Sequence, residues 1–458
     1  MSSADRDAPG LKVGVVGTGH VGLITCLSLA SVGHRVTGYD LDASKVATLK
    51  AGRMPFHEPG APEMLQVGMG SGHLTFTGDI VEAISGADVV FICVGTPVRA
   101  SGEANLLAVE QAARTIAKAA TGPLVVVEKS TVPPGTSAQL ERTLAEERPD
   151  LLGALDLVSN PEFLREGSGL EDAMHPDRIL VGGSSERAFE VMRRLYRPFL
   201  DHDVPLIEID ITSAELAKHA SNAFLALKIS YANALARICE AAGADVEAVT
   251  RVMGGDPRIG PDFLGAGLGF GGYCFPKDLA AFSHLSERLG YPFPMLAEIA
   301  RINDEAVEAA MSKIADLVWN LEGKRIALFG LSFKPDTDDV RFSPALTLAN
   351  ALLAGGASVV GYDPVAGAVS KDEVPELEIV DDPYEAARDA ACVVICTAWP
   401  EFSELDLRKL GEVMAFRNLV DGRNLLDGSV LAEAGFAYRA MGRPRSAGRS
   451  VPDGSNRS

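Results

Sequence analysis

The sequence has no apolar run of the roughly 18 residues that a membrane-spanning helix needs. Its first ten residues, MSSADRDAPG, hold no apolar core of the kind an export signal carries. Positive charge is scarce: 42 Lys and Arg stand against 62 Asp and Glu, a formal net charge of -20. That balance argues against nucleic acid or an anionic membrane as the main partner, and leaves room for a small anion in a local basic pocket. Cysteine is sparse, with six residues (26, 93, 239, 274, 392 and 396) scattered and mostly flanked by apolar side chains. This suits reduced thiols in the cytoplasm better than a disulfide framework. Cys392 and Cys396 share the run CVVIC without metal-ligand neighbours, and no metal is expected. At 458 residues with 47% hydrophobic content, the chain has the make-up of a globular protein of two or three domains.

What is present concentrates in Gly265-Ala266-Gly267-Leu268-Gly269-Phe270-Gly271-Gly272-Tyr273-Cys274-Phe275-Pro276-Lys277-Asp278. Glycines at this density let the backbone approach a bound molecule closely. Pro276 is placed as a first helical residue, which sets Cys274 beside a helix N-terminus and an ammonium group. Both lower a thiol pKa. Cys274 is therefore a candidate nucleophile with the Asp278 carboxylate in reach. A glycine turn holding a buried, inert cysteine is the structural alternative.

Nearer the start, residues 11–16 read as a buried strand that runs into Gly17-Thr18-Gly19-His20-Val21-Gly22 and an apolar helical stretch. A second strand ends at Asp40. Strand, GxGxxG, helix, strand and an acid about 20 residues on form a dinucleotide-binding pattern, with phosphates at the helix N-terminus and Asp40 on the ribose hydroxyls. Asp40 and Asp42 would repel a 2′-phosphate, so NAD is expected rather than NADP. Further strands at 88–97, 123–131, in LDLVSNPEF and RILVGG, and in PLIEID alternate with helices at 105–121 and 186–199. Ligands in open parallel sheets bind beyond the strand C-termini, where Gly95-Thr96-Pro97, Ser130-Thr131 and Asn160-Pro161-Glu162 fall. Thr131 and Glu162 are placed for chemistry, or are a turn-capping threonine and a solvated glutamate.

Residues 212–242 show apolar positions at Leu216, Ala220, Ala223, Phe224, Leu227, Tyr231, Leu235 and Ile238, the spacing of a long amphipathic helix. It suits a connector or a dimer interface. Glu215, Lys218, Asn222 and Asn233 share another face, either as a solvated stripe or with Lys218 and Asn222 aimed at one developing oxyanion. Helical runs follow near 277–290 and 294–320. A second, smaller α/β unit opens at Lys324 and repeats the architecture of the first without GxGxxG. Gly330, Lys334, Arg341 and Arg423 at its strand ends suggest a phosphate site or exposed surface charge. The expected fold is α/β, two Rossmann-like doubly wound domains joined by a long central helix. Its division is a disordered leader (1–10), an NAD-binding domain (11–210), a central helical and dimerisation region (211–321), a C-terminal domain (322–441) and a low-complexity, disordered tail (442–458).

From about Leu11 to Phe436 the chain resembles the UDP-glucose/GDP-mannose 6-dehydrogenase family. The resemblance rests on GTGHVG, Asp40, GTP (95–97), EKSTVPPGT (128–136), NPEFLREGS (160–168), the AELAKHASNAFLALKISYAN helix, GFGGYCFPKD and GLSFKPDTDDVRFSP (330–344). The run RIGPDFLGAGLGFGG (258–272) is most similar to the UDP-glucose dehydrogenases. Two positions depart: His20 stands where a tyrosine is usual, and Tyr273 where a small residue is common.

The resemblance implies an NAD-dependent four-electron oxidation at the sugar C6, UDP-glucose to UDP-glucuronate with two NADH, through a thiohemiacetal and thioester on Cys274. It implies Lys218 and Asn222 as holders of the charged oxygen, Asp278 in proton handling, and Glu162 and Thr131 as positioning or activating a water. Cofactor contacts are implied for Gly17, Gly19, His20, Val21, Gly22, Asp40, Lys45, Thr96, Thr131, Glu166, Lys277 and Arg341. UDP-sugar contacts are implied for Glu162, Phe163, Leu164, Arg165, Glu166, Lys218, Asn222, Gly265, Gly267, Gly269, Phe270, Gly271, Phe333, Lys334 and Arg423. Arg258 would reach the site from a neighbouring subunit of a homodimer or larger homo-oligomer. The same chemistry on GDP-mannose or a UDP-N-acetylhexosamine is the alternative, and a catalytically silent nucleotide-binding regulator is a further one.

Overall fold

The computed structural model describes residues 10–200 and 203–444. The described residues form two compact units, one within residues 10–221 with 280–291, the other of residues 222–279 with 292–444. Among the described residues no helix is long and apolar enough to cross a membrane.

The first unit carries strands β1 (Lys12–Val16), β2 (Arg35–Tyr39), β3 (Leu74–Thr77), β4 (Val89–Ile92), β5 (Leu124–Glu128), β6 (Leu155–Ser159), β7 (Ile179–Gly182) and β8 (Leu206–Ile209). They lie in the order β3-β2-β1-β4-β5-β6-β7-β8. Neighbours pair in parallel except β6 with β7, which meet antiparallel at Ser159 and Gly182. The order reverses between β1 and β4, the switch point at which such sheets bind ligands. Both faces of the sheet are buried, which explains the continuous apolar runs of its strands. Val89, Phe91, Val125 and Val127 join the core on one face; Val90, Ile92, Leu124 and Val126 join the core on the other.

In the second unit, β9 (Arg325–Phe329), β10 (Ser358–Tyr362), β11 (Glu378–Ile379), β12 (Cys392–Ile395), β13 (Asn418–Asp421) and β14 (Ala437–Ala440) form an all-parallel sheet ordered β11-β10-β9-β12-β13-β14. This is the strand permutation of the first sheet through its sixth strand. The repetition reaches single bonds: Gly17 N donates to Tyr39 O and Gly330 N to Tyr362 O, each at 2.8 Å. Asp40 and Asp363 each follow a Gly-Tyr pair at the end of the second strand. The two doubly wound units expected from the sequence are present.

Five helices matter for the site: α1 (His20–Ser31), α2 (Thr136–Glu147), α3 (Ile211–Ala242), α4 (Cys274–Arg288) and α5 (Pro294–Val318). Helix α3 has 32 residues, about 48 Å at 1.5 Å per residue. Its two faces reverse the expected exposure. The polar residues Glu215, Lys218, Asn222 and Asn233 are all buried, so the solvated stripe is corrected. Phe224, Tyr231 and Ile238 are 61%, 53% and 64% exposed. Hydrogen bonds explain the burial: the Glu215 carboxylate accepts from Gly135 N and Ser137 N at the start of α2, at 2.7 and 2.8 Å. Asn233 Oδ1 accepts from Gly267 N at 2.8 Å.

Gly442 and Arg443, assigned from the sequence to a disordered tail, are held in place. Gly442 N donates to Glu240 Oε1 at 2.7 Å, Val246 N donates to Gly442 O at 2.9 Å, and Arg443 pairs with Glu247. The rest of that tail and the leader through residue 9 lie outside the described residues.

Candidate active site

The dinucleotide turn is built by steric necessity. Gly17 leaves β1 at φ 95°. A Cβ on Gly22 would meet the Gly17 carbonyl oxygen at 1.8 Å, so α1 can rise this close to its strand only with glycine there. Helix α1 starts at His20, and the unpaired N–H groups of its first turn form an anion site. His20 stacks on Phe56 with centroids 3.8 Å apart, and Val21 packs against the core.

Asp40 accepts from Thr18 N (2.9 Å), Thr18 Oγ1 (2.8 Å), Asp42 N (3.0 Å) and Lys45 Nζ (2.9 Å). Burial alone would raise its pKa, but the N–H donors of Asp42 and Thr18 and the Lys45 ammonium hold it below the usual carboxylate range. A fixed anion there suits ribose hydroxyls and opposes a 2′-phosphate. These residues fit NAD. Thr96 Oγ1 donates to Thr131 O at 2.9 Å and ties together the loops that follow β4 and β5.

In the same unit, Glu162 and Lys218 form a buried ion pair of 3.0 Å, with side chains 6% and 5% exposed. The solvated-glutamate alternative is therefore corrected. Glu162 Oε2 also accepts from Leu164 N at 2.6 Å. The Phe163 ring is covered by the Arg178 guanidinium at 3.8 Å and faces Lys218 Nζ at 5.3 Å. Arg165 is drawn off to Asp172 at 2.6 Å, and Glu166 is half-buried.

In the second unit, Cys274 is itself the first residue of α4, two positions ahead of the proline expected to open it. Proline fits the third position because the first four helical N–H groups have no intrahelical partner. The sulfur thus sits at the positive end of the helix dipole. Cys274 is half-buried, while the other five cysteines are buried and none is in a disulfide. Burial pushes the thiols of Cys93, Cys392 and Cys396 up to about 12 and that of Cys26 well above its ordinary value. Cys274 is the cysteine placed to act as a nucleophile.

Asp278 lies one turn on and is 1% exposed. Its Oδ1 is 2.6 Å from Lys277 Nζ, and its Oδ2 accepts from Asn222 Nδ2 at 2.6 Å. The carboxylate therefore orients both an ammonium and the amide of a residue on α3. The Tyr273 ring stands between Lys277 Nζ at 5.6 Å and the Arg341 guanidinium at 4.5 Å, with Arg341 held by Asp339 at 2.6 Å.

The glycine-rich loop before Cys274 is pinned on several sides. Phe270 N donates to Asn303 Oδ1 at 2.7 Å and Gly272 N to Arg341 O at 2.9 Å. A Cβ on Gly271 would lie 2.4 Å from Phe342 O. Arg423, expected on a phosphate, gives donors to Cys396 O (2.6 Å), Gly269 O (3.2 Å) and Phe333 O (3.5 Å), and burial pushes its pKa down. It ties the loop to the second sheet and retains donors for a ligand. Phe333 lies against Gly272, and Lys334 Nζ stands over the Phe333 ring at 5.9 Å. Arg258 pairs with Asp256 at 2.6 Å, its side chain 87% exposed. Asn303, Arg178 and Tyr196 went unread in the sequence, and Lys129 and Asn160 were read only as members of EKSTVPPGT and NPEFLREGS, with no role of their own.

Comparisons with known proteins agree with this geometry. Residues 11–200 match the UDP-glucose/GDP-mannose dehydrogenase family, NAD binding domain; 212–305 match its central domain; 327–428 match its UDP binding domain. The chain belongs to that family. UDP-glucose 6-dehydrogenase TuaD of Bacillus subtilis is 40% identical over 96% of this chain and 95% of its own length. The UDP-glucose 6-dehydrogenase of Rhizobium meliloti is 43% identical over 95% of this chain and its full length. Among solved structures, a UDP-glucose dehydrogenase from Pyrobaculum islandicum superposes with a TM-score of 0.86 at 39% identity, covering 92% of this chain and 98% of its own. As a UDP-glucose/GDP-mannose dehydrogenase, the chain is an oxidoreductase with an NAD-binding domain, and the NAD fit at Gly17, Gly22 and Asp40 is that domain's site.

Proposed function

We propose that this dehydrogenase oxidises UDP-glucose to UDP-glucuronate in two successive two-electron steps. Bound NAD supplies the hydride acceptor. The observation that carries the reading is Cys274, the one half-buried cysteine, in the first turn of α4 beside the Lys277–Asp278–Asn222 cluster. A two-electron oxidation needs no thiolate. In a four-electron one, the Cys274 sulfur adds to the C6 aldehyde to give a thiohemiacetal, whose oxidation leaves a thioester. Water then displaces the thiolate and releases the uronate.

Lys218 and Asn222 hold the oxygen that becomes negative in these steps. Glu162, with Thr131, positions the attacking water and takes its proton, and Asp278 assists proton handling at Cys274. On the cofactor side Asp40 and Lys45 meet the ribose, with Gly17, Gly19, His20, Val21 and Gly22 around the phosphates. Thr96, Thr131 and Glu166 serve the nicotinamide end, and Lys277 and Arg341 complete the set. Phe163, Leu164, Arg165, the loop 265–271, Phe333, Lys334 and Arg423 serve the UDP-sugar. The domains run 11–210, 211–321 and 322–441, a division supported by the family matches at 11–200, 212–305 and 327–428. Six thiols outside disulfides suit a cytoplasmic enzyme.

The test is NADH formed per limiting UDP-glucose, followed by absorbance. Two per sugar is expected. One per sugar would mean an aldehyde product and would end the thioester route. Silence with UDP-glucose and turnover of GDP-mannose or a UDP-N-acetylhexosamine would overturn the substrate.

We also place a self-association surface on α3. Phe224, Tyr231 and Ile238 recur every seven residues and are exposed, the pattern of a helix seam facing a partner. A homodimer formed there brings Arg258 to the neighbouring site. Tyr231→Glu is expected to convert the dimer to monomer in light scattering and to lower activity with it. A Tyr231→Glu protein that keeps the wild-type mass would remove this surface from consideration.

A further inference from the structure

A second buried ammonium lies behind Glu162. Lys129 is 8% exposed and follows the last residue of β5. Its Nζ donates to Asn160 Oδ1 at 3.1 Å and to Asn160 O at 3.4 Å, and sits 5.7 Å from the Phe91 ring centroid. Asn160 Oδ1 also accepts from the Tyr196 hydroxyl at 2.5 Å, and Asn160 Nδ2 donates to Leu180 O at 2.7 Å. Asn160 precedes Glu162 by two residues, so this knot sets the path of the turn that brings Glu162 to Lys218.

Lys129 makes no ion pair with a carboxylate among the described residues. The groups whose charges reach it are Cys93, Glu162 and Lys218. Cys93 is pushed up to about 12 by burial, and burial likewise raises neighbouring Glu128 well above the carboxylate range. Tyr196, also near Cys93, is raised by burial too. Glu162 is paired with Lys218 at 3.0 Å and makes no bond to Lys129. Lys129 is thus a buried ammonium whose bonds go to a neutral amide and not to a carboxylate. Such a charge is costly to keep unless an anion arrives to balance it.

We propose that Lys129 is a positioning residue of the oxidation: through Asn160 it orients the Glu162–Lys218 pair, and its own buried charge, bonded to no carboxylate, is one that a developing substrate oxyanion balances. This rests on the sugar-oxidising reading above. Burial lowers the Lys129 pKa, so the charged form is disfavoured in the fold. Its destabilising effect is full below the folded pKa and vanishes as pH rises past the unfolded value. Removing the charge is then expected to relieve the fold at neutral pH while harming turnover.

Lys129→Met keeps the length and removes the charge. Its melting temperature without ligands is expected to equal or exceed that of the wild type. Its kcat should fall about tenfold or more, with KM for UDP-glucose and Kd for NAD within about threefold. Wild-type kcat should decline as pH rises through the lowered Lys129 pKa, and the variant should lack that decline. Tyr196→Phe removes the other bond to Asn160 Oδ1 without altering charge, and should keep most of kcat. A lowered melting temperature or failure to fold, an unchanged kcat, or an equal loss in Tyr196→Phe would each overturn the proposal and leave a structural knot. Melting needs no substrate. Wild-type silence with UDP-glucose would therefore count against the function alone, and the melting result would still decide on Lys129.

Discussion

Replacing Cys274 by alanine is expected to abolish uronate formation, with a loss of about 10⁴-fold or more, while NAD and UDP-glucose still bind. The size of the effect follows from the lack of a substitute. Cys26, Cys93, Cys239, Cys392 and Cys396 are all buried, and four of them are held as neutral thiols by that burial. None can take over a covalent step. Binding should survive because Cys274 is the half-buried first residue of α4, so the Cys274→Ala change removes a sulfur without opening a fully buried cavity. The loop ahead of it is fixed by Asn233, Asn303 and Arg423 through the backbone of Gly267, Phe270 and Gly269. Isothermal titration with NAD and with UDP-glucose, alongside uronate detection, checks both halves. Uronate at the wild-type rate would exclude the covalent route. Lost binding together with lost turnover would make Cys274 a structural residue of the loop.

The parts of this protein that were legible in its sequence are those encoded locally. The turn from Gly17 to Gly22 and the acid at Asp40 lie within one strand-helix-strand unit, and each has a steric or electrostatic reason to be what it is. The strands were legible because sheets buried on both faces leave continuous apolar runs. The period of α3 was legible, but which face meets solvent was not. Periodicity fixes that two faces exist, and the partners decide the rest: Glu215 is taken by Gly135 and Ser137, Asn222 by Asp278, Asn233 by Gly267. The start of α4 was displaced by two residues because proline is tolerated anywhere in the unpaired first turn. The role of Lys129 was unreadable for a different reason. Its partner Asn160 is 31 residues away and Tyr196 a further 36, so only the folded sheet brings them together.

The other large effect is expected at the Glu162–Lys218 pair, where stability and chemistry can be separated. Lys218→Met alone leaves the Glu162 carboxylate buried without its ammonium, which costs about 3–5 kcal/mol of stability. If the ammonium also holds the reacting oxygen, kcat falls about 10²–10³-fold. Glu162→Gln alone leaves the Lys218 charge buried and costs a comparable amount. The double variant Lys218→Met/Glu162→Gln removes both charges at once. A glutamine can still accept from Leu164 N, and the methionine stem fills the space of the lysine, so the melting temperature should recover part of the loss, the Lys129 ammonium left without the Glu162 charge holding back the rest. Activity should not recover, because a thioether cannot stabilise an oxyanion. Melting curves and kcat on the four proteins complete the cycle. Parallel recovery of stability and kcat in the double variant would show that Lys218 acts only by neutralising Glu162, and the oxyanion would then rest on Asn222 alone.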